Sequence, residues 1–217
     1  MILGDCMDYM AGLPDKAFEL AIVDPPYGIN ISNNMGKRRG DKKSIYAPIV
    51  WDSSIPDEKY FDELYRVSEN QIIWGGNYFP LDPTSCWILW DKGFSPDVTF
   101  AQFEMAWTSF NSSCKKYDKS PVQLNRIHPT QKPVALYKWL LSRYTHPGDR
   151  ILDTHGGSFS NVIACLDLGY PIVCIEKDED YFEASLARVR EFALQPRLID
   201  DKPAAPIPQN LFQEAAK

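Results

Sequence analysis

The 217-residue chain has no apolar run long enough to span a bilayer, so no membrane partner is expected. Its opening, Met1-Ile2-Leu3-Gly4-Asp5, lacks the basic and apolar regions of a secretory signal, and a cytoplasmic location is expected. Cysteines number five, at 6, 86, 114, 165 and 174. Their odd count, without metal or redox spacing, reads as reduced thiols placed mostly in a core. Only three histidines occur, at 128, 146 and 155, again without metal-ligand spacing, so no metal site is expected. There is no GxGxxG, which disfavours a dinucleotide, and no GxxxxGKS/T, which excludes a P-loop. Positive charge is in deficit: 23 Lys and Arg against 29 Asp and Glu leave a net charge of −6, which by itself argues against a nucleic-acid binder.

The distribution of charge says something different. Lys37, Arg38, Arg39, Lys42 and Lys43 fall within seven residues that hold one acid, Asp41. Lys115, Lys116 and Lys119 make a second cluster. Such runs are often plain solvated loops. The first lies in a long polar loop, 28–50, and loops of that length tend to carry function.

Short apolar runs at 20–24, 71–74, 86–91, 150–153 and 171–175 read as strands covered on both faces. Helical patterns lie between them. Over 57–68, Phe61, Leu64, Tyr65 and Ser68 share a face. After Pro133, Val134, Tyr137, Leu141 and Tyr144 do so, and after Asp178, a good N-cap, Phe182, Leu186, Val189 and Ala193 do. Strands alternating with helices predict an α/β doubly wound, mostly parallel sheet. The run 98–110 has no preceding helix and predicts an antiparallel hairpin at the sheet edge. One domain over 1–195 is expected, with a Pro- and Ala-rich tail at 196–217.

Asp24-Pro25-Pro26-Tyr27 stands where the first apolar run, Leu20-Ala21-Ile22-Val23, should end. Two prolines make a rigid segment that neither continues a ladder nor starts a helix. Its carbonyls and the Asp24 carboxylate are acceptors, and Tyr27 adds a flat ring. This set suits a planar group with an exocyclic amine. Tyr27 as a mere core cap and Asp24 as a helix cap are the bland alternatives, and no helix follows Asp24 directly.

A second constellation is Asp153-Thr154-His155-Gly156-Gly157-Ser158, a strand end and glycine turn ahead of a helix over Phe159 to Leu168. The next strand ends in Glu176. A turn without Cβ atoms lets a nucleoside approach closely, and an acid ending the following strand can hold ribose hydroxyls. In a doubly wound sheet, both constellations should open onto one cleft at the C-terminal strand ends.

These residues together resemble amino-group methyltransferases that use S-adenosylmethionine, most of all the β-class DNA N6-adenine enzymes of small phage and prophage type. His128-Pro129-Thr130-Gln131-Lys132-Pro133 looks like the family motif that precedes the first cofactor helix. The resemblance covers roughly residues 3 to 190 and implies a seven-stranded Rossmann-like sheet. It implies catalysis by Asp24, Pro25, Pro26 and Tyr27. It implies cofactor contacts from Asp5, Cys6, Asp24, Thr130, Lys132, Asp153, His155, Gly156, Gly157, Ser158 and Glu176. DNA, double-stranded, would be gripped by Lys37, Arg38, Arg39, Lys42 and Lys43, with a flipped adenine as the target. The resemblance leaves room for a homodimer and for a cognate restriction enzyme. The family turn usually reads Asp-Pro-Phe, any residue, Gly-Ser-Gly. Here Thr154 and His155 replace Pro and Phe, and Phe159 replaces the last Gly. Related cytosine N4 enzymes more often carry Ser at the Asp24 position, which favours adenine. The rivals are an RNA adenine or DNA cytosine N4 methyltransferase and an inactive nucleic-acid-binding subunit of the same fold.

Overall fold

The computed structural model describes residues 1–29, 52–95, 101–121, 126–128 and 130–195. The basic run 37–43, Pro129, Trp51 and the tail from 196 lie outside them.

Eight strands form one sheet: β1 (Ile2–Leu3), β2 (Phe18–Val23), β3 (Ser68–Trp74), β4 (Trp87–Asp91), β5 (Phe103–Thr108), β6 (Lys115–Asp118), β7 (Ile151–Asp153) and β8 (Ile172–Glu176). Their order is β1-β8-β7-β2-β3-β5-β4-β6. Among the described residues five α-helices accompany them: α1 (Cys6–Ala11), α2 (Glu58–Val67), α3 (Val134–Tyr144), α4 (Ser160–Leu168) and α5 (Glu179–Leu194). The α/β, mostly parallel architecture agrees with the sequence. Among the described residues the count is eight rather than seven. The β4–β5 pair is the expected antiparallel hairpin, but it is not at the edge. β6 pairs with β4 in parallel outside it, and β5 lies between β3 and β4.

Why the central strands are mostly apolar is clear in β2. Alternate side chains point to opposite faces. Leu20 and Ile22 enter one core with Leu136, Leu140 and Leu141 of α3 and with Ala164 and Cys165 of α4. Ala21 and Val23 enter the other with Met10 of α1 and Tyr60, Phe61, Leu64 and Val67 of α2. A polar residue on either face would be buried without water, so neither face alternates.

The caps follow local chemistry. The Asp57 side chain accepts the Tyr60 N–H and starts α2, and that of Asp178 accepts the Tyr181 N–H and starts α5. Pro133 immediately precedes α3, as its fixed φ favours. Two face assignments need correction. Ser68 is the first residue of β3 rather than part of α2, and Tyr60 and Val67 are buried on the α2 face instead. Ala193 is exposed, whereas its neighbour Phe192 packs against the core. Cys86, Cys165 and Cys174 are buried as expected, whereas Cys114 is exposed.

Candidate active site

From β2 the chain steps through α2 to β3 on one side. From β7 it steps through α4 to β8 on the other. β2 and β7 are neighbours, so the strand order reverses between them. Helices diverge there and leave a crevice at the C-terminal strand ends. A cavity of about 550 Å³ occupies it. Asp24, Pro25, Pro26 and Tyr27 after β2 line this cavity, and so do Gly156 and Gly157 after β7, Glu176 at the end of β8, and Gly4, Asp5 and Cys6 after β1. The two constellations share one cleft, as the sequence predicted.

The tetrapeptide is clamped from several directions. Tyr27 Oη donates to Asp24 Oδ1 at 2.6 Å. Burial, then the Asp24 charge, raise the phenol well above its usual range, so it stays protonated and donates. Lys132 Nζ donates to Asp24 Oδ2 at 2.5 Å and to Tyr27 Oη at 3.3 Å. The buried Asp52 accepts the Tyr27 and Gly28 N–H groups at 2.8 and 3.0 Å, which fixes the chain as it leaves the motif. The Tyr27 ring lies against Gly75, which has φ +70°; a Cβ there would come within 2.1 Å of the ring. Tyr78, 45% exposed, stacks on Tyr27 at 5.2 Å and 16°. The flat ring expected from the sequence thus already carries an aromatic partner.

The glycine turn is held from beneath. Asp153 is 3% exposed, accepts from Asn161 Nδ2 and the His155 N–H, and is absent from the cavity lining. Asp153 shapes the turn from below through these two bonds. Burial pushes its carboxyl up to about 7, against the pull of its Asn161 bond. Gly156 is required by contact, since a Cβ would meet Phe159 at 2.5 Å and Cys174 Sγ at 2.7 Å. Gly157 is required by conformation, with φ +52° and room around it. Phe159, buried, adopts φ +54° where the resembled pattern has glycine.

Glu176 accepts the Gly157 N–H on Oε2 at 2.7 Å and the Asp178 N–H on Oε1 at 2.9 Å. Each oxygen keeps a lone pair for a hydroxyl donor. With the glycine turn beside it, this donor-acceptor set fits a ribose diol. His155 Nδ1 meets Thr154 Oγ1 at 2.9 Å, and Thr154 Oγ1 meets Tyr60 Oη at 2.7 Å. Burial lowers His155 to about 4. His128 is also lowered to about 4, by burial and then by the Lys132 charge; it meets Thr130 Oγ1 at 3.0 Å and Tyr181 edge-on. Both imidazoles are neutral at pH 7.

Lys132 lines the same cavity. Its ammonium, 2% exposed, sits on Asp24 and on Glu104 Oε2 at 3.1 Å, so it serves the motif side of the cavity. Sequence reasoning did not single out Asp52, Glu104, Gly75 or Tyr78. No motif marks Asp52 or Glu104; Gly75 after an apolar run was the one available signal. Lys37, Arg38, Arg39, Lys42 and Lys43 lie outside the described residues. No described helix is long and apolar enough to cross a membrane.

A family model described as "DNA methylase", of N6/N4 type, matches residues 73–187. YubD of Escherichia coli (strain K12), which carries "methylase" in its name, is 27% identical over 212 residues, covering 87% of this chain and 88% of its own. Among solved structures, the M1.HpyAVI–SAM complex superposes with a TM-score of 0.54 at 20% identity, over 87% of this chain and 97% of that one. PvuII DNA methyltransferase, described as cytosine-N4-specific, superposes at 0.58 and 14% identity, over 91% of this chain and 86% of that one. At these identities the structures establish the fold.

Proposed function

Since this chain belongs to the N6/N4 DNA methylase family, we propose that it transfers a methyl group from S-adenosylmethionine to N6 of an adenine flipped out of double-stranded DNA. The observation that carries this reading is the shared cavity, lined by both Asp24-Pro25-Pro26-Tyr27 and Gly156-Gly157. S-adenosylmethionine, when bound, supplies an electrophilic methyl on a sulfonium. Glu176, Gly157, Asp5 and Cys6 would hold it, with the spare lone pairs of Glu176 taking the ribose hydroxyls. A cofactor-bound complex of the same fold supports this choice.

The amine of adenine is a weak nucleophile because its lone pair is drawn into the ring. Asp24, kept in one orientation by Tyr27 and Lys132, accepts one N–H. The Pro25 carbonyl accepts the other. Two acceptors favour a more tetrahedral nitrogen and aim its lone pair at the methyl. No covalent enzyme intermediate forms. Extruding the base costs a few kcal/mol. Aromatic contact at Tyr27, which lines the cavity, offsets part of it. Lys37, Arg38, Arg39, Lys42 and Lys43 meet phosphates in this reading and supply affinity without sequence choice. Asp24, in place of Ser, favours adenine over cytosine. A restriction–modification setting is consistent with a type II methyltransferase, M2.MboI of Moraxella bovis, among its relatives.

The test is direct. The protein is incubated with S-adenosylmethionine and either duplex DNA or RNA, and the product is digested to nucleosides for mass spectrometry. N6-methyladenine in DNA, lost in Asp24→Ala, is expected. N4-methylcytosine, or product from RNA alone, overturns the reading.

A further inference from the structure

We propose that Glu104 and Lys132 form a buried positioning pair that fixes the Asp24 carboxylate for methyl transfer. This rests on the reading that Asp24 receives the amine. Lys132 hydrogen-bonds Asp24 Oδ2 at 2.5 Å and Tyr27 Oη at 3.3 Å, and its ammonium makes an ion pair with Glu104 Oε2 at 3.1 Å, a buried oxygen with no hydrogen-bond partner of its own. The Trp74 and Tyr27 rings flank the ammonium at 5.2 and 5.8 Å. That cage gives the charge a single location. Glu104 is held in turn by Lys92 Nζ at 2.6 Å on its other oxygen.

Asp24 is thereby gripped on both oxygens, by the tyrosine hydroxyl on Oδ1 and the ammonium on Oδ2. Two donors on opposite oxygens define the carboxylate plane, whereas one leaves it free to turn. Burial penalises the Glu104 charge, but the two ammoniums outweigh it and bring the carboxyl down to about 2, so the pair stays ionic throughout the working range. A buried ion pair is a poor way to gain stability, because desolvation takes back most of its attraction. Both residues also line the cavity, where a mere staple of the fold has no reason to be. Glu104 and Lys132 need not touch substrate. They act through Asp24.

The test compares Glu104→Gln, Lys132→Met and the double variant Glu104→Gln/Lys132→Met. Each is measured for single-turnover methyl transfer, for cofactor affinity by calorimetry and for thermal melting. A misplacement of about 1 Å costs about 100-fold in rate, so a loss near 100-fold is expected in all three, with cofactor Kd changed less than about twofold. Lys132 keeps Asp24 in Glu104→Gln and Glu104 keeps Lys92 in Lys132→Met, so each single variant melts early by a partial loss of pairing; the double variant melts no lower than the single ones yet stays slow. A rate that recovers along with stability in the double variant makes the pair a staple and overturns the proposal. So does a rate within about threefold of wild type in Glu104→Gln, or a cofactor Kd that weakens in step with the rate. Should the Lys132 variants fail to fold, the near-isosteric Glu104→Gln decides alone. An inactive wild type overturns the function reading itself, and is told apart by that.

Discussion

Asp24 depends on the hydroxyl of Tyr27 as well as on its ring. Tyr27→Phe keeps the ring and removes the 2.6 Å bond to Asp24 Oδ1. Hydrogen bonds to charged groups contribute about 1.5–3 kcal/mol, so transfer should slow about tenfold or more while cofactor affinity holds. Steady-state kinetics on a duplex substrate reads this, and an unchanged kcat would leave the hydroxyl without a part in transfer. Gly75 makes a second test. Alanine there faces both φ +70° and the Tyr27 ring at 2.1 Å. The left-handed backbone and the clash together should cost about 2–4 kcal/mol, seen as a lower urea midpoint, with activity lost as the ring shifts. At this scale the sequence showed the chemistry and hid its supports. Asp24 and Tyr27 are close together in the chain and form a pattern. Asp52 and Glu104 reach them across 25 residues and from another strand, and a lone acid in a sequence carries no sign of its target.

Elements were legible where their apolar runs were long enough to show a period. β2, β3, β4, β7, β8 and the four longer helices fall within a few residues of their expected places. β1 is two residues long, and β6, Lys-Lys-Tyr-Asp, is an edge strand half open to water. Neither can show an apolar run, so both escaped. α1 is six residues, too short for a helical repeat. β5 explains the hidden Glu104. In a parallel strand the residues after the last one reach the site, as Asp24 does after β2. β5 runs the other way, so its first residues arrive at that edge. At the element scale, the cap of α5 is open to test. Asp178→Ala removes the side-chain acceptor for the Tyr181 N–H and should cost about 1 kcal/mol by denaturant titration. Because the Asp178 backbone also donates to Glu176 Oε1, cofactor affinity should weaken if the helix start frays.

The whole molecule has a pH profile set by its buried site. Asp153, near 7 when folded, keeps its proton after the unfolded chain has released it at about 3.9. Between those values the folded state holds more protons, so this contribution to stability falls as pH rises and is gone above about 7. His128 and His155, near 4 when folded, act in the opposite sense. The unfolded chain takes their protons at about 6.5, so their contribution is lost as pH falls toward 4. The two slopes oppose each other over one window. Asp153→Asn removes one of them, and its urea midpoint should climb more steeply with pH between about 4.5 and 6.5 than the wild type's. A flatter climb would contradict a buried, protonated Asp153. Overall charge sets a second property. With −6 on the chain, the proposed function requires DNA affinity to come from local clusters. Neutralising Lys37, Arg38, Arg39, Lys42 and Lys43 together should lower the slope of log K against log salt by about 0.9 for each phosphate no longer neutralised.

The Lys132 ammonium rests over the Trp74 indole at 5.2 Å, and Trp74 is fully buried. A charge held at an indole face shifts the energy of the excited state, and no solvent relaxation blurs that shift for a ring without water around it. The protein therefore carries an optical reporter wired to Asp24. Movement of the ammonium, by ligand entry or by a change at Glu104, becomes a change in intrinsic fluorescence, with Trp74→Phe as the blank against the other tryptophans. Occupancy of the cavity can then be followed in real time on the unlabelled protein.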